Sequence, residues 1–106
     1  MSTTPLPDVP TTKILAIGRP TSSGTLEAIA TLRPLEVRAT VALHLAGLIE
    51  QWWFQIDGRA PVFVLNVTDK GKAHDVLEEL PLGKAGFMEF DLIRLGPLRP
   101  LAILLE

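Results

Sequence analysis

Four short apolar segments of the chain have the length and residue content of β-strands. They occupy residues 13–18, 49–56, 61–67 and 87–95, and the second is rich in aromatic residues. The third is apolar almost throughout, which predicts a strand buried on both faces. Asp57-Gly58 joins the second and third segments, and this dipeptide is the strongest short signal of a β-hairpin in the chain.

Apolar residues recur at helical spacing between the first and second of these segments. Turn-forming residues at 19–24 precede a brief helix predicted over 26–32, and Pro34 is predicted to open the main helix as a first-turn residue. Gly47 is a suitable cap for its end. The main helix has an apolar stripe formed by Leu35, Val41, Ala42, Leu45 and Leu48. Glu36 lies outside this stripe.

A second helix is predicted from Thr68 or Asp69 to about Leu80, with Thr68 as a reasonable N-cap. Its apolar stripe consists of Ala73, Val76, Leu77 and Leu80. Residues 81–86 are predicted to form a loop before the last strand, because this segment combines proline with two glycines.

The elements follow the order strand, helix, strand, strand, helix, strand. This order predicts an α+β domain of the ferredoxin-like βαββαβ type, with a four-stranded antiparallel sheet and two helices on one face. We assign residues 13–106 to this single domain and residues 1–12, which are rich in proline and threonine, to a flexible N-terminal arm. The opposite face of the sheet is apolar, so two such sheets packed face to face would bury it.

Composition strengthens the expectation of a partner and narrows the function classes. Of the 106 residues 47% are hydrophobic, more than a small domain buries alone, which favours a homodimer or an internal cavity. The net charge is −2 without a basic run, which argues against nucleic-acid binding. The chain has no cysteine and two separated histidines, so no metal site is predicted. Neither a signal peptide nor a membrane span is visible, and we expect a cytoplasmic protein without a membrane partner.

Two segments near the C-terminus resemble the muconolactone isomerase family. Leu80-Pro81-Leu82 is followed by Phe87-Met88-Glu89-Phe90-Asp91-Leu92, similar to that family's Leu-Pro-Leu loop and the strand after it. The exit from the main helix at Gly47, the aromatic strand and the turn at Gly58 follow in the same order. The resemblance covers residues 13–97.

The resemblance implies a dimeric α+β barrel that needs no cofactor and sometimes assembles into larger rings. It also implies isomerisation of a small unsaturated lactone, by removal of a proton from one ring carbon and its return to another. The chain departs from the family at Phe54-Gln55, where the family enzyme has a Trp-Arg pair. Without that arginine, binding of a substrate carboxylate should be weaker, so muconolactone itself is not the expected substrate.

Three titratable residues are candidates for catalysis of a proton shift. His44 lies on the main helix and is the candidate general base or acid, although a histidine at a helix boundary is the plainer interpretation. Glu89 and Asp91 share one face of the last strand and would assist, with the pKa of one raised by the other. Their plainer interpretation is two solvent-facing charges that pair with a cation.

The candidates for substrate binding are aromatic, polar and cationic. Trp52 and Trp53 point to opposite faces of their strand, so one belongs to the core beneath the helices and the other lies on the open face, against a ligand or a partner. Gln55 replaces the family's arginine. Possible anion-binding residues, each also interpretable as solvated surface charge, are Arg19, Arg59 and Arg94.

Three functions remain open from the sequence. The first is a cofactor-independent isomerase or cyclase acting on a small unsaturated lactone or ketone. The second is a cofactor-free monooxygenase or polyketide cyclase of the same barrel class. The third is a small-molecule-binding barrel without catalytic activity, which the missing arginine favours.

Overall fold

A computed structural model of the protein describes residues 8–98, 100 and 104–105. The predicted N-terminal arm lies largely outside these residues, as does most of the apolar C-terminal segment, so the expectations for both stay predictions. The elements in chain order are β1 (Lys13–Pro20), α1 (Leu26–Leu45), β2 (Ile49–Phe54), β3 (Pro61–Leu65), α2 (Lys70–Glu78), α3 (Pro81–Lys84) and β4 (Met88–Leu95).

The four strands form one antiparallel sheet in the order β2-β3-β1-β4. The α+β class and the four-stranded antiparallel sheet are therefore confirmed, and the strand order is compatible with a ferredoxin-like fold. Helices α1 and α2 both pack on the same core cluster, so they cover the same face of the sheet. Within the described part of the chain, no helix combines the length and the apolar character needed to cross a membrane.

Alternation along the strands separates a covered face of the sheet from an open face. Ile14 and Ala16 of β1 are fully buried beneath the helices, next to Phe63 and Leu65 of β3, to which they are paired in register. The residues between them point to the other face and are half-buried: Leu15, Ile17, Val62 and Val64. The prediction that β3 is buried on both faces is therefore only partly met in the single chain.

Helix α1 is one continuous helix, whereas the sequence predicted a brief helix followed by a second one that opens at Pro34. Pro34 lies inside the helix and has no N–H to donate to the carbonyl of Ala30. Ala30 is exposed, so water can satisfy that carbonyl, and the helix continues through the proline. Thr25 caps the start by accepting a hydrogen bond from Ala28 N at 3.2 Å.

The end of α1 has the geometry that the sequence predicted for Gly47. Leu48 N donates to the carbonyl of Leu43, and Gly47 N donates to the carbonyl of His44, both at 2.9 Å. This pair of bonds is a Schellman motif, and it places Gly47 at a φ of 83°, where glycine is favoured.

Two details at the other helices differ from the sequence predictions. Asp69, and not Thr68, is the N-cap of α2, because its Oδ1 accepts hydrogen bonds from Gly71 N and Lys72 N. The predicted loop at 81–86 contains the short helix α3, in which Pro81 takes the first-turn position that suits its fixed φ.

The predicted hairpin joins β2 and β3. Its turn is closed by Gln55 N donating to the carbonyl of Ala60 at 2.9 Å and by Arg59 N donating to the carbonyl of Gln55 at 3.1 Å. The left-handed residue in this turn is Arg59, with a φ of 55°, and not Gly58. A left-handed backbone is strained for a non-glycine residue such as Arg59.

Candidate functional site

The main cleft of the described structure lies between α1 and the edge of the sheet formed by β2 and β3. Its volume is about 650 Å³. Most of its wall is apolar or aromatic, with Val37 and Val41 from α1 facing Trp52, Phe54 and Phe63 from the strands. A cleft of this size and lining is suited to a small organic ligand.

The cleft exists because α1 does not close onto the sheet along its whole length. None of its 20 residues, all of them described in the structure, is fully buried. Val41 remains 44% exposed and Trp52, on the facing strand, 45% exposed. The apolar side chains on both sides are therefore available to a ligand that would remove them from water.

Glu36 is the carboxyl group of this cleft. It lies on α1, is half-buried, and its Oε2 accepts a hydrogen bond from Leu82 N at 2.9 Å. Burial raises the pKa of Glu36 above its usual range, because the apolar surroundings penalise the charged form, and the bond from Leu82 N opposes this rise. A raised pKa in a cleft is typical of a carboxyl group that transfers protons.

Two arginines complete the polar part of the cleft. Arg33 stands on α1 one turn before Glu36, and Arg59 extends from the left-handed position of the hairpin turn. Both are exposed while lining the cleft, so they lie at its solvent-facing rim. Among the described residues, neither guanidinium forms an ion pair with Glu36.

The sequence analysis missed Glu36 because it placed the residue outside the apolar stripe of a helix opening at Pro34. In the continuous helix the cleft-lining residues recur at helical spacing, and they are Leu26, Ile29, Arg33, Glu36, Val37, Thr40 and Val41. The sequence signal for Glu36 was therefore its place beside Val37 and Val41 on a second apolar face of the helix. That face becomes visible when the helix is started at Leu26.

His44 lies at the end of α1 and does not line the cleft. Its Nδ1 is 2.7 Å from the carbonyl oxygen of Ile49, and its ring meets that of Trp52 edge-on with a centroid distance of 4.4 Å. The residue thereby joins the end of the helix to the start of β2 and supports one wall of the cleft from behind.

Glu89 and Asp91 lie on the open face of β4, as their alternation predicted, opposite Arg19 and Ile17 of β1. Arg19 forms ion pairs with both, at 2.8 Å to Glu89 and 3.4 Å to Asp91, and all three side chains are more than half exposed. The two acids raise the pKa of Arg19, and the hydrogen bonds that Arg19 donates to Asp91 contribute most.

The structure does not bring the three predicted catalytic residues together. His44 packs on the helix-covered side near edge strand β2, whereas Glu89 and Asp91 are on the other face of the opposite edge strand, β4. The pairing of these two acids with a cation is the plainer of their two interpretations. Whether any of the three takes part in catalysis stays a prediction.

The two tryptophans point to opposite faces of β2, as predicted, but the one beneath the helices, Trp52, is 45% exposed and does not belong to the buried core. Trp52 is paired with Phe63 on the covered face, and Trp53 with Val62 on the open face. Both line the cleft, since β2 is an edge strand around which the cleft opens. Arg94 is exposed on β4 and lies away from the cleft, so the structure does not join it to the other binding candidates.

Gln55, a predicted substrate-binding residue, does not line the cleft. Its Nε2 donates to the carbonyl of Gly18 at 2.8 Å. In the pairing of β1 with β3, Gly18 and Pro61 are the next positions after Ile17 and Val62. Pro61 has no N–H to donate, and the side-chain amide of Gln55 supplies a donor to Gly18 instead. A side chain at position 58 would collide with Gln55, which explains Gly58 in the turn.

Comparison of the sequence with models of protein families and with curated proteins finds no match. Among the described residues there is also no group of three or more histidines, cysteines or acids that could hold a metal ion.

Proposed function

We propose that the protein is a cofactor-independent isomerase or cyclase that moves a proton on a small unsaturated lactone or ketone bound in the cleft. The reaction class comes from the resemblance to the muconolactone isomerase family. The observation that carries it is Glu36, a carboxyl group with a raised pKa in the wall of an apolar cleft.

Glu36 has the chemistry that such a proton shift requires. Its carboxylate removes a proton from the carbon between the substrate's carbonyl and its double bond, and the electron pair spreads into a dienolate. The protonated carboxyl then returns the proton to the far end of the dienolate, which completes the isomerisation. A raised pKa strengthens the base and lets it hold the proton between the two steps.

The hydrogen bond from Leu82 N holds the carboxylate of Glu36 and also determines which of its two oxygen atoms is available. Leu82 N occupies Oε2 from the side of α3, and among the described residues no hydrogen bond is made to Oε1. Thr40, one turn along α1, donates to the main-chain carbonyl of Glu36 at 2.8 Å and leaves the carboxylate alone. Oε1 is therefore the atom available to a substrate.

Solvent-hydrogen exchange tests this proposal without knowledge of the natural substrate. In D₂O, the protein should catalyse deuterium incorporation into α-angelica lactone, a small β,γ-unsaturated lactone, as followed by proton NMR. We expect Glu36→Gln to lower the exchange rate at least about a hundredfold, the usual contribution of a positioned acid–base group. Glu27→Gln on the same helix is the matched control, since Glu27 is exposed and does not line the cleft.

Unchanged exchange in the Glu36→Gln variant would contradict the role of Glu36. His44→Gln, Glu89→Gln and Asp91→Asn belong in the same series, because the sequence predicted catalytic roles for these residues. If their losses exceed that of Glu36→Gln, the proton transfer belongs to the residues named from the sequence.

A small-molecule-binding protein without catalysis is the second candidate, and one observation favours it. Leu80, the N-cap of α3, makes no side-chain hydrogen bond to the helix, and Glu36 supplies an acceptor to Leu82 N instead. Glu36 therefore has a structural role that requires no reaction. Ligand binding in the cleft with no exchange on any unsaturated lactone or ketone would favour this candidate.

We further propose that two copies of the chain pack through the open faces of their sheets, as the family resemblance implies. The centre of this face is apolar, and the residues that carry the argument are Leu15, Ile17, Val62, Val64 and Ile93. The ion pairs Lys13–Glu50 and Arg19–Glu89 lie towards its ends. An apolar centre with a charged rim is typical of a protein interface.

Native mass spectrometry tests the dimer. The wild-type chain should have the mass of two copies or a multiple of two, and Ile17→Lys should shift it to the monomer. Leu45→Lys is the matched control, because Leu45 is apolar and exposed but lies on α1. A wild-type monomer at micromolar concentration would contradict the proposal.

A further inference from the structure

The cleft has an uneven distribution of charge. Its body is apolar, its one lining acid is the half-buried Glu36, and its rim has two guanidinium groups, those of Arg33 and Arg59. Among the described residues, neither guanidinium forms an ion pair, whereas Arg19 on the open face forms two. The rim of the cleft is therefore a region of uncompensated positive charge beside an apolar surface.

The two arginines come from separate elements that are each held in place. Arg33 is fixed on α1 by the helix itself, and it precedes Pro34, whose ring restricts the backbone at that point. Arg59 has a left-handed backbone between Gly58 and the fully buried Ala60, although glycine would adopt this conformation without strain. A strained residue directed at a cleft is an indication of a binding role.

We infer that Arg33 and Arg59 form an anion-binding rim, and that the cleft takes an amphipathic ligand with a flat, unsaturated or aromatic body and one anionic group. The body packs between α1 and Trp52, and the anionic group faces the two guanidiniums, which suit carboxylate or sulfonate oxygens. The rim thus supplies, from other elements, the anion binding that Gln55 does not provide.

This inference rests on the same cleft as the proposed function, but it concerns binding and does not require a reaction. Two fluorescent probes with the same aromatic rings test it: 8-anilinonaphthalene-1-sulfonate, which is anionic, and N-phenyl-1-naphthylamine, which lacks the sulfonate. We expect Arg33→Gln and Arg59→Gln each to weaken binding of the anionic probe at least about fivefold and the double variant to weaken it further. Binding of the neutral probe should change less than about twofold.

Arg38→Gln is the matched control, because Arg38 is an exposed arginine of α1 that does not line the cleft. Benzoate should displace the anionic probe, and benzyl alcohol at the same concentration should not. Binding of the anionic probe should also weaken as salt is added.

Equal losses for both probes would overturn the inference, since they would mean that the arginines only shape the apolar wall. Unchanged binding of the anionic probe in the double variant would overturn it as well. Arginine-dependent binding together with a lack of deuterium exchange would refute the proposed reaction and leave the anion-binding rim in place.

Discussion

Helix α2 has nine residues and buries Ala73 and Leu77, whereas α1 has 20 residues and buries none of those that the structure describes. Both helices cover the same face of one sheet. Helix α2 closes the core with Leu65 and Ile14, while α1 contributes only partly buried residues to it, Ala39 and Leu43. The shorter helix thus completes the core, and the longer one leaves a cleft.

This difference assigns the two helices different roles, since α2 contributes mainly to stability and α1 mainly to binding. Apolar groups of α2 are already removed from water, so their contribution appears in the free energy of unfolding. Apolar groups of α1, such as Val37 and Val41, stay exposed at 55% and 44% and can contribute mainly when a ligand covers them. Four predictions test the comparison.

The largest effect on stability is expected from truncating a buried side chain of α2. Leu77→Ala should lower the free energy of unfolding by about 2–5 kcal/mol, because it opens a cavity in the core. Val41→Ala should lower it by less than about 1 kcal/mol and should weaken binding of the neutral probe. Urea denaturation measures the free energy of unfolding of both variants. Similar losses of stability in the two would show that α1 is packed as tightly as α2.

The proline of α1 provides the second test. Pro34→Ala restores an N–H that can donate to the carbonyl of Ala30, and it removes a residue that costs about 3 kcal/mol in a helix interior. We expect the free energy of unfolding to rise by about 1–2 kcal/mol, since added freedom of the unfolded chain offsets part of the gain. A loss of stability, measured by urea denaturation, would mean that the helix needs the proline for its packing.

Two glycines make the third test. A side chain at Gly83 of α3 would collide with the carbonyl oxygen of Leu77 in α2, whereas a side chain at Gly47, after α1, would meet nothing within 4 Å. Gly47→Ala should therefore lower the free energy of unfolding only through the strain of its left-handed backbone, by about 1 kcal/mol. Gly83→Ala should cost more, because the contact between α3 and α2 must shift. Equal shifts in melting temperature would contradict the close packing on α2.

The smallest effect is expected from the charge of Glu36. Because burial raises its pKa, the native chain holds this proton to higher pH than the unfolded chain does. The corresponding stabilisation is complete below the unfolded pKa and is lost as pH rises through the folded one. The Glu36→Gln variant has no group to titrate at this position. Its stability relative to the wild type should therefore increase as pH rises from the unfolded pKa through the folded pKa of Glu36.

Urea denaturation at a series of pH values measures this difference, with Glu27→Gln as the exposed control. A constant difference between wild type and Glu36→Gln over the whole range would show that the carboxyl group is not affected by its position in the cleft.

Much of the fold could be predicted from the sequence, because the governing signals are local. Alternation placed Trp52 and Trp53 on opposite faces of their strand. The Schellman end at Gly47 follows from one residue type at one helix position. Pro34 misled the prediction, since a proline is tolerated where the freed carbonyl reaches water.

The candidate site was decided by the tertiary structure. His44 was predicted to act with Glu89 and Asp91, but it lies at the end of α1 beside edge strand β2. The two acids lie on β4, at the opposite edge of the sheet, and pair with Arg19 instead. Glu36 became a candidate only through its surroundings. Residue type and spacing determine which way a side chain points along its own element. The separation of α1 from β2 opens the cleft, and burial of Glu36 beside Leu82 raises its pKa. Both depend on how elements far apart in sequence pack together.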